Sequence, residues 1–112
     1  SIEIDPKNEF YDYESKYFDN GETKHIIPPR ITEDQIVFVE NLALKAHNAL
    51  GCKGISRTDF ILEKDSGIFY ILEVNTQPGM TPTSLVPEIA KSKGTDFDEL
   101  INWIIDDAST NR

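Results

Sequence analysis

The sequence predicts an α+β fold: an antiparallel sheet with packed helices. Three observations carry that prediction. Residues 54–75 alternate as two strands around a turn, residues 32–50 place an apolar stripe behind a capping box, and residues 84–108 hold two further short helical patterns. A chain of 112 residues has room for one domain with a modest core.

Composition narrows the function classes. Hydrophobic residues make up 38% and charged residues 28%, ordinary values for a folded domain. Twenty acidic against eleven basic side chains leave a net charge of −9, which argues against nucleic acid and anionic membrane as partners. The single Cys52 cannot form an internal disulfide and reads as a small filler beside Gly51 and Gly54. With no cysteine pair, no signal peptide and no apolar run of membrane-spanning length, the expected compartment is the reducing cytoplasm. The abrupt entry from Ser1 into a strand pattern suggests a piece of a longer polypeptide.

Residues 1–31 are the least regular part. Ile2–Ile4 forms a short strand pattern before Asp5-Pro6, Asn20-Gly21 marks a turn, and His25–Ile27 is a second brief strand ended by Pro28-Pro29. Between them, residues 10–18 interleave five aromatics with charge and show no clean period. That suits a loop folding over a ligand; the alternative is a loop whose rings pack on the core. His25 is expected at a surface or strand edge.

The helix over 32–50 opens on the capping box Thr32–Gln35 with Glu33 and Asp34 in its first turn, and Gly51 ends it. Ile36, Val39, Leu42, Ala43, Ala46 and Leu50 form its apolar stripe, predicted to pack on the core face of the hairpin. His47 falls on its polar side and takes no role.

In the hairpin, Thr58–Leu62 and Phe69–Val74 are β-branched and aromatic, with the turn at Lys64–Gly67. A three-residue loop centred on Ser66, with Gly67 left-handed, would set Ile61 opposite Ile71, Asp59 opposite Glu73 and Arg57 opposite Asn75. The period of two then puts Phe60, Leu62, Tyr70, Leu72 and Val74 on the core face and Arg57, Asp59, Glu73 and Asn75 on the other. Two carboxylates about 5 Å apart across a sheet repel, so a cation is expected between them. With only oxygen and nitrogen donors the ion would be hard: magnesium, or calcium second. The same cluster also fits an internal ion-pair network, because Arg57 shares the face.

Residues 76–84, rich in Gly, Pro and hydroxyl or amide side chains, leave the polar end of that strand as a binding loop would. The helix expected over 84–92 follows at once, capped by Thr83 or Ser84, with Pro87 in its first turn and Gly94 at its end. Its free N–H groups could hold an anion. The last helix runs from Thr95 or Asp96 to about Ala108, burying Phe97, Leu100, Ile101, Ile104 and Ile105, with Trp103 in a packing role.

Three segments together resemble the C-terminal half of the D-alanine–D-alanine ligases of the ATP-grasp superfamily: YDYESKY (11–17), GCKGISRTDFIL (51–62) and ILEVNTQPGMTPTSLVP (71–87). The resemblance covers nearly the whole chain in order. It implies that residues 1–112 are the C-terminal part of an ATP-grasp domain that binds ATP, magnesium and D-alanine. Asp59, Glu73 and Asn75 match the family's ligands for two magnesium ions, for which manganese can substitute. The resemblance implies that Glu73 bridges the two ions that grip the nucleotide.

Arg57 and the N–H of Gly79 match the donors to a tetrahedral oxyanion, a task suited to a permanently charged guanidinium and a closely approaching backbone. Ser84 and the backbone of Leu85 match the cradle for the second substrate's carboxylate. Lys16 and Tyr17 match the loop that closes over phosphates and substrate, and Tyr at that position goes with making a peptide rather than an ester. The implied reaction joins two D-alanine molecules through an acyl phosphate for peptidoglycan synthesis, in a homodimer. The family's phosphate-binding lysines, adenine hinge and N-terminal domain have no counterpart here, so the chain alone is expected to be inactive. Another ATP-grasp carboxylate–amine ligase is the nearest alternative. A non-catalytic divalent-metal module is the other, and it leaves Arg57 and the Ser84 helix without a purpose.

Overall fold

The computed structural model describes residues 1–5 and 24–110. In order, the elements are β1 (Glu3–Asp5), β2 (Lys24–Ile26), α1 (Glu33–Ala49), β3 (Arg57–Leu62), β4 (Phe69–Asn75), α2 (Leu85–Ser92) and α3 (Phe97–Asp107). The strands pair antiparallel as β1–β2 and β3–β4, so the predicted α+β class holds. The aromatic run at 10–18 and the Asn20-Gly21 turn lie outside the described residues.

β1 and β2 are short, and an arginine clasp reinforces them. Arg30 donates from its backbone N–H to Glu3 Oε1 at 3.0 Å and from Nε to Glu3 Oε2 at 2.8 Å, and its Nη2 reaches Asp5 Oδ2 at 3.2 Å. His25, on the edge as expected, pairs with Glu88 of α2 at 2.8 Å and so ties the first hairpin to that helix.

α1 begins as its sequence dictates. Thr32 Oγ1 accepts from the Gln35 N–H at 3.1 Å while Gln35 Oε1 accepts from the Thr32 N–H at 3.0 Å. Such a cap is worth about 1 kcal/mol. At the other end Gly51, at φ 70°, donates to Asn48 O at 3.0 Å, and Cys52 donates to His47 O at 2.9 Å. A left-handed residue is what allows these last carbonyls to be satisfied. His47 is not an idle polar residue: it is half-buried, and its Nδ1 lies 2.6 Å from Ser56 Oγ, fastening the helix end to the entry of β3.

α1 packs on β3 and β4 as predicted, but through rings that the apolar stripe does not contain. Phe38 meets Phe69 at 6.1 Å, and Phe69 meets Phe60 edge-on at 6.4 Å. Val39 is buried and Ile36, Leu42, Ala43 and Ala46 half-buried, whereas Leu50 is exposed. α2 packs with α3. Leu100 is buried, and Phe97, Ile101 and Ile104 are half-buried. Ile105 and Trp103 face outward, contrary to the packing expected of them.

The hairpin corrects the predicted register. Its loop has four residues, Lys64–Gly67, closed by Glu63 N–H to Ile68 O at 2.9 Å and Gly67 N–H to Glu63 O at 2.8 Å. Gly67 takes φ 71°, the left-handed conformation expected of it. Near the turn, Leu62 therefore faces Phe69, Ile61 faces Tyr70 and Phe60 faces Ile71. A bulge between Asp59 and Phe60 then accommodates Leu72 as an extra residue. Beyond it the predicted pairs return: Asp59 with Glu73, Thr58 with Val74, Arg57 with Asn75. The one-residue slip turns Phe69 inward and leaves Tyr70 and Leu72, both predicted for the core, exposed at 48% and 59%.

Arg30 holds the Glu3 carboxyl below its ordinary pKa, chiefly through the side-chain hydrogen bond. A depressed carboxylate stabilises the fold at neutral pH, and that contribution is lost as pH falls through its lowered pKa. Arg30→Ala should therefore raise the Glu3 pKa toward the ordinary carboxylate value in an NMR pH titration. An unchanged Glu3 titration would remove the clasp from the account.

Candidate functional site

The polar end of the hairpin gathers four predicted residues. With the bulge in place, Arg57, Asp59, Glu73 and Asn75 all project from one face of β3–β4. Arg57 binds Asp59 with a two-pronged contact, Nε to Oδ1 at 2.7 Å and Nη2 to Oδ2 at 3.0 Å. Its Nη2 also stands 3.7 Å from Glu73 Oε1. The guanidinium is 14% exposed, against 32% for Asp59 and 56% for Glu73. A largely sheltered positive charge thus offsets two facing carboxylates that would otherwise repel. The open side of the cluster is the Glu73 side.

The donor set suits a hard divalent ion. Among the described residues no three of His, Cys, Asp or Glu converge on a metal site. Asn75, on the same face, could add a neutral amide oxygen to the two carboxylates. Asn75 Oδ1 already accepts from the Gln77 N–H at 2.9 Å, which fixes the amide's orientation and leaves that oxygen a second lone pair.

The loop after β4 brings Gly79 against Ser84. A Cβ at residue 79 would sit 3.0 Å from Ser84 Oγ, so any side chain there would press on that hydroxyl. Ser84 occupies the N-cap position of α2 yet makes no side-chain cap. Three residues on, Pro87 has no N–H, so only that of Val86 could serve a capping oxygen. Instead, Ser84 Oγ accepts from the Thr81 N–H at 3.0 Å and lies 2.6 Å from Thr81 Oγ1. Leu85 and Val86, in the first helical turn, have N–H groups with no intrahelical acceptor.

Arg57, Asp59, Glu73 and Asn75 thus form one group, and Gly79, Ser84 and Leu85 a second. Lys16 and Tyr17 lie outside the described residues. Sequence reasoning missed Thr81, although the Thr81-x-x-Ser84-x-x-Pro87 spacing carries a signal: a proline at the third helical position removes one capping donor and favours another partner for the serine.

The fold's neighbours define its class. The chain superposes on the D-alanine–D-alanine ligase of Bacillus anthracis complexed with ATP at a TM-score of 0.75, with 29% identity over 95% of this chain and 32% of that one. For the D-alanyl-alanine synthetase A of Vibrio cholerae the values are 0.73, 31%, 94% and 32%. The architecture is that of the ATP-grasp ligases. Residues 1–106 match the family model for the D-ala D-ala ligase C-terminus, and the chain belongs to that family. It is 51% identical to the D-alanine–D-alanine ligase of Pelagibacter ubique over 112 residues, covering all of this chain and 36% of that protein. The ligase of Xanthobacter autotrophicus is also 51% identical, over 99% of this chain and 37% of its own length. The chain spans little more than a third of the length of these relatives.

Arg57→Ala should lower stability by about 1 kcal/mol, the lower end for charge-assisted bonds because Asp59 is partly solvated. The loss should appear as a lower urea midpoint. An unchanged midpoint would show that Arg57 does not offset the paired carboxylates.

Proposed function

We propose that residues 1–112 are the C-terminal portion of the ATP-grasp domain of an ATP-dependent D-alanine–D-alanine ligase, supplying part of its nucleotide, metal and substrate sites. The observation that carries this reading is the register of β3 and β4, which keeps Arg57, Asp59, Glu73 and Asn75 on one face despite the slip near the turn. Family membership and the likeness to an ATP-complexed ligase support it.

In this reading Asp59, Glu73 and Asn75 hold two magnesium ions, or manganese, which when bound neutralise charge on the nucleotide's phosphates. A carboxylate oxygen of the first D-alanine attacks the γ-phosphorus of ATP, ADP leaves, and an acyl phosphate results. The amine of the second D-alanine attacks the carbonyl carbon, and collapse expels phosphate with loss of a proton from nitrogen. Arg57 and the Gly79 N–H donate to the oxyanion formed in between, each typically worth about 3 kcal/mol of barrier. Ser84 Oγ and the Leu85 N–H receive the carboxylate of the second D-alanine at the positive end of α2. Lys16 and Tyr17 close over the phosphates and substrate. The adenine site and the phosphate-binding lysines belong to the rest of the enzyme, which acts as a homodimer. The product serves peptidoglycan synthesis in the cytoplasm.

In the complete enzyme, Glu73→Gln should abolish turnover, by at least about a thousandfold, while circular dichroism and melting temperature stay near the parent's. Turnover with the parent's magnesium dependence would refute the metal assignment. Tyr17→Phe should raise the share of ester formed when D-lactate competes with D-alanine as second substrate. An unchanged product ratio would remove Tyr17 from the closing loop.

A further inference from the structure

We propose that Thr81 is a positioning residue that sets the Ser84 hydroxyl as a hydrogen-bond donor toward the substrate carboxylate. This rests on the reading above, in which Ser84 receives that carboxylate. A serine hydroxyl has one proton to give and two lone pairs to fill. One lone pair of Ser84 accepts from the Thr81 N–H at 3.0 Å. The Thr81 hydroxyl stands 2.6 Å away, and between two hydroxyls either can donate. If Ser84 donated to Thr81 it would have no proton left for an anion. With a carboxylate in place Thr81 must therefore be the donor. Both Ser84 lone pairs are then occupied by a single residue, and its proton is directed outward. Two donors on one oxygen also polarise its O–H bond and strengthen what it gives.

Two features narrow the alternatives. Ser84 makes no side-chain cap on α2, and Pro87, the third helical residue, removes one of the two N–H groups such a cap could use. On the other side the Gly79 Cα closes on Ser84 Oγ so tightly that even a methyl would reach 3.0 Å. Thr83 contributes little to this arrangement: its Oγ1 is 3.5 Å from Thr81 Oγ1, at the limit of a hydrogen bond. The backbone turn that seats the pair, Ser84 N–H to Thr81 O at 3.0 Å, does not depend on the threonine hydroxyl. Thr81→Val therefore isolates that hydroxyl.

The test uses the complete enzyme and steady-state kinetics for each substrate. Thr81→Val should raise the KM for the D-alanine that supplies the amine about tenfold, the loss of one hydrogen bond to a charged group transmitted through Ser84. The KM for ATP and the kcat at saturating D-alanine should move less than about twofold, and Thr81→Ser should return the KM to within about twofold of the parent. In the Ser84→Ala background, Thr81→Val should have no further effect, because the two substitutions act on one contact. Thr81→Ala serves in the same cycle if the valine variant does not fold. An unchanged KM in Thr81→Val, a fall in kcat or melting temperature with KM unmoved, or full additivity with Ser84→Ala would each overturn the proposal. If Ser84→Ala itself leaves the KM unchanged, the carboxylate assignment fails first, an outcome distinct from failure of the Thr81 role.

Discussion

Everything at the functional end of the molecule depends on two carboxylates held face to face. Asp59 and Glu73 are cross-strand partners, an arrangement a sheet tolerates only with positive charge nearby. Arg57 supplies that charge with a two-pronged grip on Asp59 and a longer reach to Glu73. The unequal sharing matters. Asp59 is satisfied by its neighbour on the same strand, while Glu73 remains the more exposed oxygen donor. A half-buried guanidinium thus stands beside an open carboxylate.

Keeping that pair in register requires a correction within the hairpin. The four-residue loop starts the ladder one residue out of step with the site, and the bulge at Leu72 restores it. Without the bulge, the loop and the core would dictate which face Glu73 occupies. With it, Phe69 can turn inward to Phe38 and Phe60 near the turn while Glu73 and Asn75 stay with Arg57 at the far end. Bulges commonly re-aim side chains beside functional sites, and this one does so at the cost of exposing Tyr70 and Leu72.

The second group follows from a chain of small local necessities. Pro87 removes one of the two N–H groups that a serine cap could bind. Ser84 turns to Thr81, Gly79 leaves room for the hydroxyl, and the first helical N–H groups stay without intrahelical acceptors. Each step is elementary and rests on neighbours in the chain. By contrast the hydrophobic core is thin. Among the described residues only Val39, Leu100 and the prolines Pro29, Pro78 and Pro87 are buried apolar side chains, while Val37, Leu44, Ile61 and Ile68 are among those left substantially exposed. Such surfaces fit a chain that spans little more than a third of its relatives' length.

The sequence by itself determined the elements whose signals are local. The capping box fixed the start of α1, Gly51 its end, Gly67 the left-handed turn residue, and the alternation of 57–62 against 69–75 the strands. It also determined the chemistry available, since Arg57, Asp59, Glu73 and Asn75 could be placed on one face by counting from the turn. What it could not decide was how far that counting holds. The observed register goes with Phe69 meeting Phe38 of α1 and Phe60 of β3. The contact with Phe38 joins residues far apart in the chain and leaves no periodic trace. The outward turn of Leu50, Trp103 and Ile105 was settled the same way, because an amphipathic stripe marks a side that can be buried, and only a partner in space determines how much of it is.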